Sequence, residues 1–148
     1  MRRHVLALMF FGAFAQAAHA QTTVIPQPDR IEAGEGSFAL NRNVRIVAPA
    51  DRRAQEIAAF LRDGIHEQSG IALRVGTATK QPRIELRIDP SVKGEEAYRL
   101  TIAPKQIEIA AADDRGLFWG VQTLRQLLPS GHRTTLTIPA VRIDDAPR

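Results

Sequence analysis

The strongest constraint in this chain is a change of hydrophobic period. Along Arg83 to Ile88 the apolar side chains of Ile84, Leu86 and Ile88 alternate strictly with Arg83, Glu85 and Arg87. A period of two is the signature of a half-buried strand, dry on one side and wet on the other. The same alternation runs through Ile71, Leu73 and Val75, through Tyr98, Leu100 and Ile102, and through Ile107, Ile109 and Ala111. Pro104 sits between the last two runs, where a turn would pair them as a hairpin. Phe38 and Leu40, followed by Val44 to Val47, predict another hairpin around Asn41 to Asn43.

Two segments carry the other period. From Asp51 to Ser69, the residues Ala54, Ile57, Ala58, Leu61 and Ile65 fall on one helical stripe. Asp51 is placed to cap the start and Gly70 to follow the end. Gly64 inside this helix costs about 1 kcal/mol relative to alanine, so packing must hold that turn. A second helix is predicted over Asp114 to Leu128, capped by Asp113 or Asp114 and ended by Pro129 and Gly131. Its stripe is Leu117, Val121, Leu124 and Leu128. Trp119 lies nearly opposite, about 160° from the stripe centre at ~100° per residue. Two readings stand: a lone surface tryptophan, or a helix buried on two sides, with Trp119, Gly116 and Gly120 meeting a second layer.

Strands and helices in this arrangement predict an α+β fold: an antiparallel β-sheet with two helices packed on one face. Its wet face would carry Arg45, Arg74, Arg83, Glu85, Arg87, Arg99, Thr101 and Glu108. That face reads either as a solvated surface of cross-strand ion pairs or as a docking face for an anionic polymer, Arg83 and Arg87 being its test residues.

The ends of the chain differ from its middle. Arg2 and Arg3 precede an apolar run from Val5 to Phe14, and Ala18-His19-Ala20 has the small-x-small form of a signal-peptidase site. Residues 1–20 are therefore expected to be a cleaved signal peptide, the run being short of the ~20 residues that span a bilayer. Removing 20 of 148 residues leaves 128, one domain large enough for its own core. The expected location is periplasmic or secreted, with no membrane attachment after cleavage. Gln21 to Gly36 is polar and turn-rich and reads as an extended lead-in. Thr137 to Arg148 contains a last extended stretch, with 143–148 expected to begin a linker.

Chemistry is sparse. There is no cysteine, which excludes disulfides, zinc fingers and thiol catalysis. His66-Glu67-Gln68-Ser69-Gly70 opens like a zinc-peptidase helix but has glycine where the second histidine is needed. His66 and His132 are too few for a histidine-rich metal site. The pairs Glu95-Glu96, Asp113-Asp114 and Asp144-Asp145 read as turn solvation, capping and linker solubility. No nucleophile elbow, P-loop or dinucleotide fingerprint is present. The net charge of +4 falls to +2 once Arg2 and Arg3 leave, and no basic run stands beside stacking aromatics, so no nucleic-acid partner is expected. The residues supply no catalytic, cofactor-binding or metal site.

Four segments carry a resemblance: GLFWGVQTLRQLLP (Gly116 to Pro129), IPAVRIDDAPR (Ile138 to Arg148), VIPQPDRIEAGEGSFAL (Val24 to Leu40) and EEAYRLTIAPKQIEIAA (Glu95 to Ala111). Together they resemble the N-terminal, non-catalytic domain of bacterial β-N-acetylhexosaminidases, glycoside hydrolase family 20. The resemblance covers essentially all of the chain after the leader. It implies a zincin-like α+β domain without metal. It also implies that Asp145-Ala146-Pro147-Arg148 leads towards a (β/α)8 barrel opened by a Phe/Tyr-x-Trp-Arg-Gly segment, with a catalytic Asp-Glu pair further on. The family hydrolyses by substrate assistance: the 2-acetamido oxygen attacks the anomeric carbon, the Asp orients it and the Glu protonates the leaving oxygen. None of those residues maps onto residues 1–148, and Arg148 is not the substrate-contacting arginine.

The resemblance implies an accessory domain that packs on and stabilises the barrel of its own parent polypeptide, docking around Trp119 and meeting carbohydrate only through that barrel. The alternatives are a free-standing glycan or anionic-polymer binding module, and the N-terminal domain of another glycosidase such as an α-glucuronidase or an O-GlcNAc hydrolase. The leader has its own test: the exported protein should begin at Gln21 by mass spectrometry, and an intact Met1 would refute cleavage.

Overall fold

The computed structural model describes residues 24–76, 80 and 82–146. The expected signal peptide and its cleavage site, and Pro147-Arg148 at the other end, lie outside the described residues. The elements in chain order are β1 (Arg30–Asn41), β2 (Arg45–Val47), α1 (Arg52–Ser69), β3 (Arg74–Gly76), β4 (Arg83–Ile88), β5 (Tyr98–Ala103), β6 (Gln106–Ala111), α2 (Asp114–Leu127) and β7 (Thr135–Asp145). The strands form one seven-stranded sheet in the order β1-β7-β5-β6-β4-β2-β3.

The α+β class stands, but the sheet is mixed where a fully antiparallel one was expected. β1–β7, β5–β7 and β5–β6 are antiparallel. β2–β3, β2–β4 and β4–β6 are parallel. α1 makes the β2–β3 pair parallel, since a helix between two neighbouring strands returns the chain to the same end of the sheet, and β6 comes to lie parallel to β4 by inserting between β4 and β5. Alternation reports which face of a strand is wet and carries no information about its direction.

The hairpin expected around Asn41 to Asn43 does not form. The turn itself is there, with Val44 N donating to Asn41 O at 3.0 Å and Asn43 N to Asn41 Oδ1 at 2.9 Å. Its two arms go to different partners: Phe38 stands opposite Ile138 and Leu40 opposite Leu136 on β7, while Ile46 pairs with β3 and β4. The β5–β6 hairpin forms as expected, with Tyr98 opposite Ala111 and Ile102 opposite Ile107. β7 is longer than the sequence promised, lies inside the sheet between β1 and β5, and runs through Asp145. Ile143, Asp144 and Asp145, expected in the linker, are therefore sheet residues, and the Ile143 side chain is fully buried.

Both helices cover one face of the sheet. The α1 stripe of Ala54, Ile57, Ala58, Leu61 and Ile65 is buried, as is the α2 stripe of Leu117, Val121, Leu124 and Leu128. These side chains share a core with Ile46, Ile84, Leu86, Leu100, Ile107 and Ile109 from the sheet. Asp51 accepts from Ala54 N and Gly70 ends α1 at φ 77°. Asp113 caps α2 by accepting from Gly116 N. Gln68, near the end of α1, donates to the Leu128 carbonyl at 3.2 Å and so closes the end of α2.

The α2 glycines correct the two-sided reading. Gly116 and Gly120 are buried against this domain's own sheet, not against a second layer. A Cβ on Gly116 would sit 2.4 Å from the Ala97 carbonyl oxygen, and one on Gly120 would sit 2.4 Å from Ile109 Cγ2. Their bare backbone lets α2 approach β5 and β6 closely. Gly64 does similar work between the helices, since a Cβ there would meet Arg125 Nε at 2.5 Å.

This packing makes a prediction. Gly116→Ala should lower stability by about 1–3 kcal/mol despite alanine's better helix propensity, because the obstructing atom is backbone. A urea midpoint raised by the substitution would contradict the close-approach explanation.

Candidate functional site

The residues singled out from the sequence are dispersed. His66 is exposed on α1, and His132 lies after α2 against Gly70. Asp113 is occupied as the α2 cap, and the Gly116 backbone N–H it accepts, first among its contacts, holds its carboxyl below the ordinary carboxylate range. Glu96, at φ 60°, accepts from Trp119 Nε1 at 3.0 Å and pairs with Arg115 at 3.1 Å. Asp144 accepts from Arg99 Nε at 2.7 Å and from Arg142 Nε at 3.0 Å. Among the described residues the structure brings no acid pair together as a facing dyad. Asp144 and Asp145, read from the sequence as linker solubility, instead fasten strands and the lead-in segment.

On the outer face of the sheet the expected ion pairing is present, across strands at Arg87–Glu108 and Arg99–Asp144 and along one strand at Arg83–Glu85. Arg87 bridges Asp89 at 2.8 Å and Glu108 at 3.2 Å. Arg83 donates to Glu85 at 2.9 Å, and Gln106 donates to the same oxygen at 2.9 Å. Arg83 and Arg87, the test residues for polymer docking, are thus engaged within the domain.

The remaining candidate is a surface. An open cleft of roughly 980 Å³ runs between α2 and the lead-in segment, and its lining includes Ile25, Tyr98, Trp119, Gln122, Gln126 and Ala146. Gln126 holds one wall: its Oε1 accepts from Ile25 N at 2.9 Å and its Nε2 donates to Ile25 O at 3.0 Å. At the floor the Tyr98 hydroxyl donates to Asp145 Oδ2 at 3.2 Å, which leaves Thr123 to donate the 2.6 Å bond to the phenol oxygen. Burial pushes the Tyr98 phenol well above its ordinary value, so it is a neutral structural clamp. Asp145 also accepts from Asp29 N at 3.2 Å.

Trp119 stands on the rim, 39% exposed. It is not alone, as the sequence reading allowed. Its ring meets Phe118 edge-on at 5.6 Å, Phe118 meets Phe60 of α1 at 5.6 Å, and the Arg125 guanidinium lies 4.8 Å over Phe60. With Ile25, 74% exposed, these residues form an apolar and aromatic patch across the outer side of the helix layer. Phe60 and Ile25 were missed from the sequence; the available signal was an aromatic residue off the buried stripe of α1. The patch has no nucleophile, acid–base pair or ligand set. What it can do is bury surface against a partner.

Comparison with known proteins gives the family of the domain. The family model described as glycosyl hydrolase family 20, domain 2, matches residues 21–146. A beta-N-acetylhexosaminidase of Cellulomonas fimi is 33% identical over 130 residues, which are 84% of this chain and 26% of that protein. A lacto-N-biosidase of Bifidobacterium bifidum is 29% identical over 93% of this chain and 12% of its own length. Among solved structures, the Streptomyces plicatus N-acetyl-beta-hexosaminidase in complex with Thio-NAglucal superposes with a TM-score of 0.77 at 33% identity, covering 84% of this chain and 26% of that one. This chain therefore spans about a quarter or less of the length of these relatives.

The Asp144 junction has a pH signature. Burial opposes its charge, but the hydrogen bonds from Arg142 and Arg99 outweigh burial and hold its carboxyl below the ordinary value near 3.8. A depressed carboxylate stabilises the fold above its unfolded pKa and loses that contribution as pH falls through the folded one. Asp144→Asn should cost about 1–2 kcal/mol at pH 7. It should also reduce the loss of stability on acidification below about pH 4. Parallel acid-denaturation profiles for the two proteins would refute the junction's electrostatic role.

Proposed function

Starting from a chain that belongs to glycosyl hydrolase family 20, as its domain 2, we propose that it is the accessory domain of an exported β-N-acetylhexosaminidase. In this reading it packs on a catalytic (β/α)8 barrel of the same polypeptide and stabilises it. The barrel, not this domain, removes terminal N-acetylhexosamine from glycans or chitooligosaccharides. The observation that carries the proposal is the patch of Phe60, Phe118, Trp119 and Ile25 on the outer side of the helix layer. Trp119 on its rim shares the cleft with Ala146, where the chain leaves β7. A segment continuing from that point is delivered beside the surface it would cover.

The energetics favour docking. Large aromatic side chains held by a rigid helix pair lose little conformational freedom on being covered, and burial of such rings dominates interface stability. Glu96 and Arg125 at the edges supply polar partners for a rim. The expected leader at residues 1–20 supports the reading of export to the periplasm or beyond.

No step of hydrolysis is assigned to this domain. The purified chain should release no chromogenic leaving group from an aryl N-acetylglucosaminide above the buffer rate. The coding sequence beyond codon 148 should continue in frame into a Trp-Arg-Gly segment and a later Asp-Glu pair. Turnover by the chain alone, or a stop codon at that point, would overturn the assignment.

A further inference from the structure

The sheet face turned away from the helices holds a second surface. β2 lies between β3 and β4, all three parallel, and the register sets Arg45 beside Arg74 on one side and beside Arg83 on the other. The next residues, Val75, Ile46 and Ile84, are also in register, and Ile46 and Ile84 are fully buried on the helix side. Alternation therefore turns Arg74, Arg45 and Arg83 together to the opposite face, as a row spaced about 4.8 Å from strand to strand.

Three like charges in adjacent register oppose folding. Elsewhere on this face arginines are neutralised: Arg87 by Asp89 and Glu108, and Arg99 by Asp144. The row has one carboxylate, Glu85, and Arg83 and Gln106 already occupy it. All aspartates and glutamates of the chain lie among the described residues, and none of them pairs with Arg45 or Arg74. One step further along the strands, Gly76 and Val47 add no charge. The result is a surface at the β3 edge of the sheet with three guanidinium groups against one carboxylate.

We propose that Arg74 and Arg45, the two arginines of the row that pair with no carboxylate among the described residues, bind a linear carboxylated polysaccharide. Guanidinium forks match carboxylates in pairs of hydrogen bonds, and two adjacent strands present them at a fixed interval. β2, β3 and β4 contain no aromatic residue, so bases would find nothing to stack on. Of the large exposed apolar residues, Ile25, Ile31, Phe60, Ile88 and Trp119, none belongs to the row, so the surface lacks the apolar wedge of a lipid-binding face. The charge pattern stands alone. The choice of a sugar polymer over another polyanion rests on the reading of the parent as a glycan-acting enzyme. The row faces away from the docking patch, so both surfaces can be occupied together.

The test is affinity electrophoresis of the full chain in gels containing polygalacturonate, with salt varied. Retardation that weakens with salt is expected for the native protein. Arg45→Gln with Arg74→Gln should reduce affinity about tenfold, while Arg53→Gln on α1 should leave it unchanged. Because the double substitution removes like-charge repulsion, its thermal midpoint should not fall. Absence of retardation, equal loss in the Arg53 variant, or equally tight arginine-dependent binding of single-stranded DNA, anionic vesicles or neutral dextran would overturn the proposal. Hydrolysis is not read in this assay, so its outcome is separate from the assignment of the parent enzyme.

Discussion

The close approach of α2 to the sheet is the contact on which the rest of this domain depends. Gly116 and Gly120 sit a turn apart and put bare backbone against Ala97, Ile109 and Tyr98. With the helix seated there, Leu117, Val121 and Leu124 are driven into the core and Thr123 is brought to the Tyr98 hydroxyl. The same seating turns Trp119 outward. The buried side of α2 and its exposed aromatic face are thus two consequences of one packing event, since a helix rotated to bury a wider face must show the residues opposite.

A second set of contacts joins the ends of the chain to that core. Tyr98 reaches Asp145 as well as Thr123, and Asp145 in turn holds the backbone at Asp29. Gln126 brackets Ile25 with two hydrogen bonds over a sequence separation of 101 residues. The lead-in segment, the last strand and α2 therefore meet at one cleft. Such long-range clamps are costly in chain entropy and become favourable only after the sheet has aligned. This is why the surface next to them is a property of the finished domain.

Charge is distributed unequally over the outer face of the sheet. On β4, β5 and β7 the arginines find carboxylates across or along the strands, and the net effect is a solvated surface of modest energetic worth. On β2 and β3 they find none. Composition treats all these arginines alike. Only the parallel register, which lays Arg45 between Arg74 and Arg83, separates a balanced region from an unbalanced one.

What could be read in the chain is what local physics decides. The capped helix of Arg52–Ser69, the buried stripes of both helices, the Pro104 hairpin and the one-sided wetness of the strands all follow from periodicities and short-range sterics. The segments that carried the family resemblance were legible for a related reason, since they hold the closely packed α2 and the strands beneath it. The choice of strand partners was not legible, because the alternation of Phe38 and Leu40 fits Leu136 and Ile138 as well as it fits a neighbouring hairpin arm. Nor was the orientation of Gly116 and Gly120, which depends on what stands across from them. The sequence by itself determined the elements and their wet and dry sides, because those are set within a few residues. Tertiary structure alone decided strand direction, the place of β7 between β1 and β5, the aromatic patch and the arginine row, because each is a contact between residues far apart in the chain.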